Sequence, residues 1–83
     1  MYAILIIDVF SSKEGSRTLI DNFLKDSKSI SERCEGVETI SSNSWLLDLN
    51  KTIHSLNEFL DLAHGYKMSY KISLSEIKPK FIS

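Results

Sequence analysis

The sequence is poor in the residues that most strongly constrain a chain, with one cysteine, one proline and three glycines among 83 residues. The lone Cys34 excludes an internal disulfide and a metal site built from several thiolates. The net charge of −1 argues against a generally basic nucleic-acid-binding protein, although it allows a local basic patch. The apolar run Ile4–Ile7 is too short to span a membrane, and no basic, cleavable leader is recognisable. We therefore expect a cytoplasmic protein.

The composition that remains is typical of a folded domain. Hydrophobic residues make up 42% of the chain and charged residues 25%. A chain of this length forms one domain with a small core, and such domains often gain stability by oligomerising.

The stretch Tyr2–Phe10 is the one around which the rest of the chain is organised. It is a nearly unbroken apolar run, which predicts a strand that is buried on both faces. Alternation places one set of side chains on each face: Ala3, Leu5, Ile7 and Val9 on the first, and Tyr2, Ile4, Ile6, Asp8 and Phe10 on the second.

A first helix follows, and its start has two alternatives. Ser11 and Glu14 have the spacing of a capping box, whereas Ser16 can cap a helix that begins after Gly15. We prefer the later start, because Gly15 inside the first turn would cost about 1 kcal/mol relative to alanine. The buried positions recur at helical spacing up to a stop at Gly36: Leu19, Ile20, Phe23, Leu24, Ser27 and Ile30.

The second half of the chain predicts strand, strand, helix and strand. Residues 37–40 and 44–49 are the strands, and Asn50 is expected to cap a helix that ends at Gly65. The stripe expected to be buried on that helix is Ile53, Leu56, Phe59, Leu60 and Ala63. In Lys67–Leu74, alternation predicts a half-exposed strand with four inward side chains: Met68, Tyr70, Ile72 and Leu74.

This order predicts an α+β fold, a ferredoxin-like βαββαβ sandwich with a four-stranded antiparallel sheet and two helices on one face. The first and third strands are then central and the other two are edges. Residues 1–75 form the domain and residues 76–83 form a tail. The tail carries Ile77, Phe81 and Ile82, so we expect it to pack on the core or to pair with a dimer partner.

The face without helices has nothing in the chain to cover it, although the first strand is apolar there. A symmetric homodimer is the commonest solution to such a face. The residues expected at that interface are Tyr2, Ile4, Ile6 and Phe10.

Asp8 is the acid with the most interesting position, at the end of a central strand and on the uncovered face. Two interpretations stay open. In one, Asp8 meets its symmetry mate and the two carboxylates hold Mg²⁺. In the other, which the residues alone favour, the carboxylate accepts backbone hydrogen bonds from the loop that follows it.

Other residues with chemical potential give weaker signals. His54 and His64 lie too far apart on one helix to share a metal, and Cys34 is best explained as a packed thiol. Four lysines cluster late in the chain, away from the acidic residues near the second strand. They are expected either to contact phosphates or an acidic partner or to protect an edge strand from pairing; they are Lys67, Lys71, Lys78 and Lys80.

Two stretches carry a resemblance to a known family. The start of the chain, Met1–Val9, with Ile7-Asp8-Val9 at its end, resembles the small CRISPR-associated Cas-two-like proteins. The segment Ser42–Leu47, followed by a helix that contains Leu60-Asp61-Leu62, resembles their SinR-like relatives and, more faintly, the GhoS-type antitoxin ribonucleases of defence systems. The resemblance implies a sheet-to-sheet homodimer with Asp8 near the two-fold axis as catalytic residue and metal ligand. The sequence departs from the family at the first helix, which is usually rich in arginine there, whereas Arg17 is the only arginine near its start here.

The leading hypothesis is therefore a dimeric Cas-two-like domain that is associated with nucleic acid and has weak, Mg²⁺-dependent phosphodiester cleavage. The alternative is a non-enzymatic protein-interaction module, a small regulator, antitoxin or inhibitor that binds a protein partner through an edge strand. Whether the chain is an enzyme stays open, since Asp8 has no second acid or base near it in the sequence.

Overall fold

The computed structural model describes residues 1–11 and 17–79. Within them the chain forms four strands and two helices, in the order predicted. The elements are β1 (Tyr2–Asp8), α1 (Arg17–Arg33), β2 (Val37–Ser41), β3 (Ser44–Asp48), α2 (Ile53–Gly65) and β4 (Ser69–Ser75). None of the helices in these two ranges is long and apolar enough to cross a membrane.

The strands form one antiparallel sheet with the order β2-β3-β1-β4. As predicted, β1 and β3 are central and β2 and β4 are edges. With both helices packed on the sheet around a shared core, this is an α+β, ferredoxin-like fold, which confirms the sequence prediction.

The core lies between the helices and one face of the sheet. Ala3, Leu5 and Ile7 on β1 are fully buried there. Their register partners on β3, Leu47 and Trp45, point to the same face and are also buried. The Trp45 ring stacks on Phe59 of α2, with ring centroids 4.4 Å apart. The alternation predicted for the first strand is therefore what builds the core.

Helix α1 buries Phe23, Ser27 and Ile30 and ends at Arg33, in agreement with the predicted stripe. Gly36 follows with φ +83°, a left-handed conformation that glycine adopts without strain. The two alternative starts involve Glu14, Gly15 and Ser16, which lie outside the described residues.

The start of α2 differs from the prediction. Thr52, not Asn50, is the residue before the helix, and Asn50 instead donates its backbone N–H to Asp48 Oδ1 at 3.1 Å. Ile53 is 59% exposed, whereas Ser55 is buried and its hydroxyl is hydrogen-bonded to that of Thr52. A buried hydroxyl pair satisfies both polar groups internally, so the helix can turn Ser55 inward.

The end of α2 differs as well. Gly65 is the last helical residue, and the left-handed residue is Lys67, with φ 57°. Lys67 N–H donates to His64 O at 3.1 Å and Met68 N–H donates to Ala63 O at 2.9 Å. These two bonds form the Schellman motif, in which an apolar residue just after the turn packs back on the helix. Met68, which is 4% exposed, has that place.

The two helices are joined by polar contacts from α1 and the residue after it. The Glu58 carboxylate accepts from Arg33 Nη1 at 3.2 Å and from Cys34 Sγ at 3.4 Å. The Tyr66 hydroxyl donates to Asp26 Oδ2 at 2.7 Å. This hydrogen bond, together with burial and the charge of Asp26, raises the pKa of Tyr66 above its usual value. Cys34 is half-buried, as expected of a packed thiol.

The chain after β4 partly covers the face of the sheet that has no helices, contrary to the expectation that nothing would. Lys78 Nζ lies 3.6 Å from Glu38 Oε2 on β2, the opposite edge of the sheet. Lys78 and Leu46 line one depression of about 250 Å³, and Leu46 is only 2% exposed. Ile77 is 80% exposed, so it does not pack on the core of its own chain, and its packing on a dimer partner stays a prediction. Phe81 and Ile82 lie outside the described residues.

We predict that Gly36→Ala destabilises the protein by about 1–3 kcal/mol. An alanine there must hold a positive φ, and its Cβ would come within 2.9 Å of Lys51 Cβ. Gly65→Ala is the matched control, because a Cβ at Gly65 meets nothing within 4 Å. It should stabilise the helix by up to about 1 kcal/mol. Urea denaturation would measure the free energy of unfolding of both variants. Equal values for the two would contradict the requirement for glycine at position 36.

Candidate site at the end of the first strand

Asp8 lies at the C-terminal end of β1, on the face of the sheet away from the helices, and its side chain is exposed. Its Oδ1 accepts the backbone N–H of Phe10 at 3.0 Å. This is the second of the two interpretations predicted for Asp8, a strand-end carboxylate bonded to the following loop. The other carboxylate oxygen of Asp8, Oδ2, remains accessible to solvent.

Ser11 ties the end of β1 to the start of β4. Its hydroxyl donates to Asp8 O at 2.6 Å and accepts the backbone N–H of Ser69 at 2.7 Å. On the other side of β1, Asn43 Nδ2 donates to Ile7 O at 3.0 Å, and Ile7 N–H donates to Asn43 O at 2.9 Å. The backbone around Asp8 is therefore held from both neighbouring strands.

These elements enclose a shallow depression of about 490 Å³ beside Asp8. It brings together three residues that were singled out from the sequence, namely Ile6, Asp8 and Lys71. It also includes Asn43, Ser69 and Tyr70, which sequence reasoning missed. The signal for Ser69 and Lys71 was present in the β4 alternation, because they oppose Asp8 and Ile6 in the register. Nothing in the pattern indicated that the Asn43 turn would come here.

The predicted cluster of lysines is not kept together. Lys71 lies in the depression, whereas Lys78 lies beside Glu38 on β2, the opposite edge strand. Lys67 is exposed in the turn before β4, and Lys80 lies outside the described residues. The expected separation of a basic edge from an acidic edge therefore does not hold for Lys78.

The residues expected at a dimer interface do share the open face, but to different degrees. Tyr2 and Ile4 are half-buried, Ile6 is 47% exposed, and Phe10, beyond the end of the strand, is 82% exposed. Ile6 and Phe10 thus leave apolar surface on either side of Asp8 along the chain. The homodimer itself stays a prediction.

The described residues of one copy do not by themselves form a cluster of metal ligands around Asp8. Over residues 1–11 and 17–79, no three His, Cys, Asp or Glu side chains are grouped so that they could hold a metal ion. Asp8 is the one acid among the described residues that line the depression, and one of its oxygens already accepts from Phe10. Mg²⁺ is usually held by one or two carboxylates together with waters and substrate phosphates, and the second carboxylate of the predicted site would come from a second copy.

The two histidines are also apart. His54 and His64 lie near opposite ends of α2, and both are exposed. The His64 ring contacts the ring of Tyr70 on β4, with centroids 5.9 Å apart. His64 therefore helps to hold α2 over the edge strand.

No protein-family model, curated protein or solved structure matches this chain. The resemblance to the Cas-two-like proteins accordingly remains an expectation from the sequence.

We predict that Ser11→Ala destabilises the protein by about 0.5–1.5 kcal/mol, because it removes one hydrogen bond and leaves the Ser69 N–H without its acceptor. Ser31→Ala is the matched control. Its hydroxyl bonds only within α1, to Lys28 O, and its removal should change stability by less than about 0.5 kcal/mol. Thermal unfolding of both variants would test this, and an unchanged Tm for Ser11→Ala would refute the role given to Ser11.

Proposed function

We propose that this chain is a protein-interaction module that works through the exposed edge of its sheet rather than through catalysis. The observation that carries the proposal is β4. Its apolar side chains Tyr70, Ile72 and Leu74 are 36%, 38% and 63% exposed. Each was expected to point inward. They do oppose the buried residues of β1, but at the edge of the sheet the helices cover them only in part.

An exposed edge strand of this kind is a template for another strand. Among residues 1–11 and 17–79, no strand pairs with the outward main-chain groups of β4. Its apolar side chains add surface that an extended segment can bury. Proteins that do not use such an edge usually protect it with charge, proline, a bulge or a covering segment. In β4 the one charged residue is Lys71, whose side chain points to the other face.

The opposite edge shows what protection looks like in this same molecule. β2 is shorter than β4, carries the acidic Glu38, and has an irregular register between Thr39 and Ser41. Lys78 also lies against Glu38 from the open face. The contrast supports β4 rather than β2 as the interacting edge, which suits a small regulator, antitoxin or inhibitor that binds a protein.

A photo-reactive phenylalanine analogue placed at Leu74 tests the proposal in the native cells. Leu74 is 63% exposed on β4, so we expect irradiation to give a covalent adduct with another polypeptide chain. The control position is Lys25, an exposed residue on α1, which should give none. Mass spectrometry of the adduct identifies the partner chain. If irradiation yields no adduct at Leu74, or equal amounts of adduct at Leu74 and Lys25, the proposal is wrong.

The second candidate is the Cas-two-like activity, phosphodiester cleavage by a dimer in which Asp8 of both copies holds Mg²⁺. The observation in its favour is that the accessible carboxylate of Asp8 shares a depression with Lys71, whose ammonium is suited to a phosphate. The net charge of −1 weakens it, because such a chain does little to steer nucleic acid to its surface.

Asp8→Asn separates the two candidates. The amide keeps an oxygen that accepts the Phe10 N–H but loses the negative charge, so fold and association should be unchanged. If the cleavage is real, Mg²⁺-dependent cleavage of RNA or DNA should fall by at least about 100-fold. Asp61→Asn, an exposed position on α2, is the control and should keep full activity. Equal cleavage by wild type and Asp8→Asn would identify a contaminant, and no cleavage by wild type would leave the interaction module.

A further inference from the structure

The hydrogen-bond pattern of the sheet fixes which main-chain groups of β4 point outward. On the β3 side of β1, Met1 O accepts from Leu49 N–H and Ile7 N–H donates to Asn43 O. Alternate residues of an antiparallel strand bond to opposite neighbours. The odd-numbered residues of β1 therefore bond to β3, and the even-numbered residues bond to β4.

The β4 partners of those even-numbered residues are Ser69, Lys71, Ser73 and Ser75. These four direct their N–H and C=O groups inward, towards β1, although the N–H of Ser69 is accepted by the Ser11 hydroxyl just after that strand. Tyr70, Ile72 and Leu74 consequently direct theirs away from the sheet. The three residues with outward main-chain groups are the same three whose apolar side chains are exposed.

From this we infer that β4 pairs antiparallel with β4 of a second copy. The two-fold axis passes midway between Ile72 and the partner's Ile72 and is termed the axis at Ile72. The inference rests on the proposed interaction function and names its partner. In this register Ile72 faces the partner's Ile72, and Tyr70 faces the partner's Leu74. Each of these pairs has outward main-chain groups on both strands, so together they supply about six hydrogen bonds.

The side chains of β4 are complementary to themselves in this register. On the helix side every pair is apolar. On the open side Lys71 faces the partner's Ser73, and Ser69 faces the partner's Ser75, so no two lysines meet. Like charges directly opposite each other destabilise a strand pair, whereas apolar cross-strand pairs stabilise it.

Other registers are worse for stated reasons. A shift that pairs odd with even residues would set inward main-chain groups against outward ones. An axis through Lys71 would place two lysines opposite each other. An axis through Tyr70, Ser73 or Leu74 would leave part of the seven-residue strand unpaired. The axis at Ile72 uses the whole strand. After Ser75 the chain runs towards Glu38 on β2, so that Lys78 lies by the edge of the sheet opposite β4.

A charge-exchange experiment at the axis tests the inference. Ile72→Glu and Ile72→Lys each set two like charges opposite each other, so each variant alone should dimerise at least about tenfold more weakly than wild type. An equimolar mixture of the two should recover a dimer, because a glutamate then faces a lysine. Thr39→Glu, on the exposed part of the other edge, is the control and should dimerise like wild type. Sedimentation equilibrium measures each dissociation constant, and circular dichroism shows that each variant is folded.

Amide exchange of the unmodified protein gives a readout that does not depend on any variant. As the protein concentration rises, the amides of Tyr70, Ile72 and Leu74 should gain protection in NMR exchange measurements. Those of Lys71 and Ser73 should be protected at every concentration, because they bond to β1. A dimer in which the three outward amides stay unprotected would place the interface away from the β4 edge and overturn the inference.

The outcomes also separate this inference from the proposal beneath it. A wild-type protein that stays monomeric up to about 1 mM overturns the β4 pairing. If the photo-adduct at Leu74 then contains a different protein, the interaction function stands with another partner. If there is neither dimer nor adduct, both fail.

Discussion

The structure depends on two requirements of β1, namely that one face of it is buried and that its main chain is hydrogen-bonded on both sides. Its odd-numbered residues must be buried, and Ala3, Leu5 and Ile7 reach zero exposure only because both helices pack over them. Burying each Leu or Ile side chain contributes roughly 1.5–3 kcal/mol, a large share of the stability of so small a domain. Its main-chain groups must also be bonded on both sides, which β3 and β4 do. The helices meet the first of these requirements, and the two neighbouring strands meet the second.

The order of elements could be predicted from the sequence because β1 and α1 show regular patterns and Gly36 marks a clear stop. The ends of α2 could not, since they are decided by contacts that no local pattern contains. Ser55 is buried because Thr52 shares its hydrogen bond, whereas Asn50 is diverted to Asp48. Lys67 takes the left-handed turn in place of Gly65, which a capping rule would have chosen.

The site was predictable in part for a similar reason. Asp8 was identified because strand alternation places it on the open face at the end of β1, and its bond to Phe10 is a local one. Asn43 reaches the same place through a turn between two other strands, so its role depends on tertiary structure. The exposure of Tyr70, Ile72 and Leu74 depends on how far the helices extend over the sheet. Alternation alone indicates only that they share a face.

The pairing of Tyr2 with Ser75 has a consequence for how the protein is made. β1 is translated before both helices, and β4, the strand that completes its hydrogen bonding, is translated after them. A nascent chain that ends before Ser69 leaves the main chain of β1 unbonded on one side. Leu5 and Ile7 then lack their cross-strand partners Ile72 and Tyr70. Contacts of such long sequence separation form slowly and expose apolar segments while they form. Folding is therefore expected to finish only after β4 is synthesised, and during translation β1 is the segment most in need of protection by chaperones.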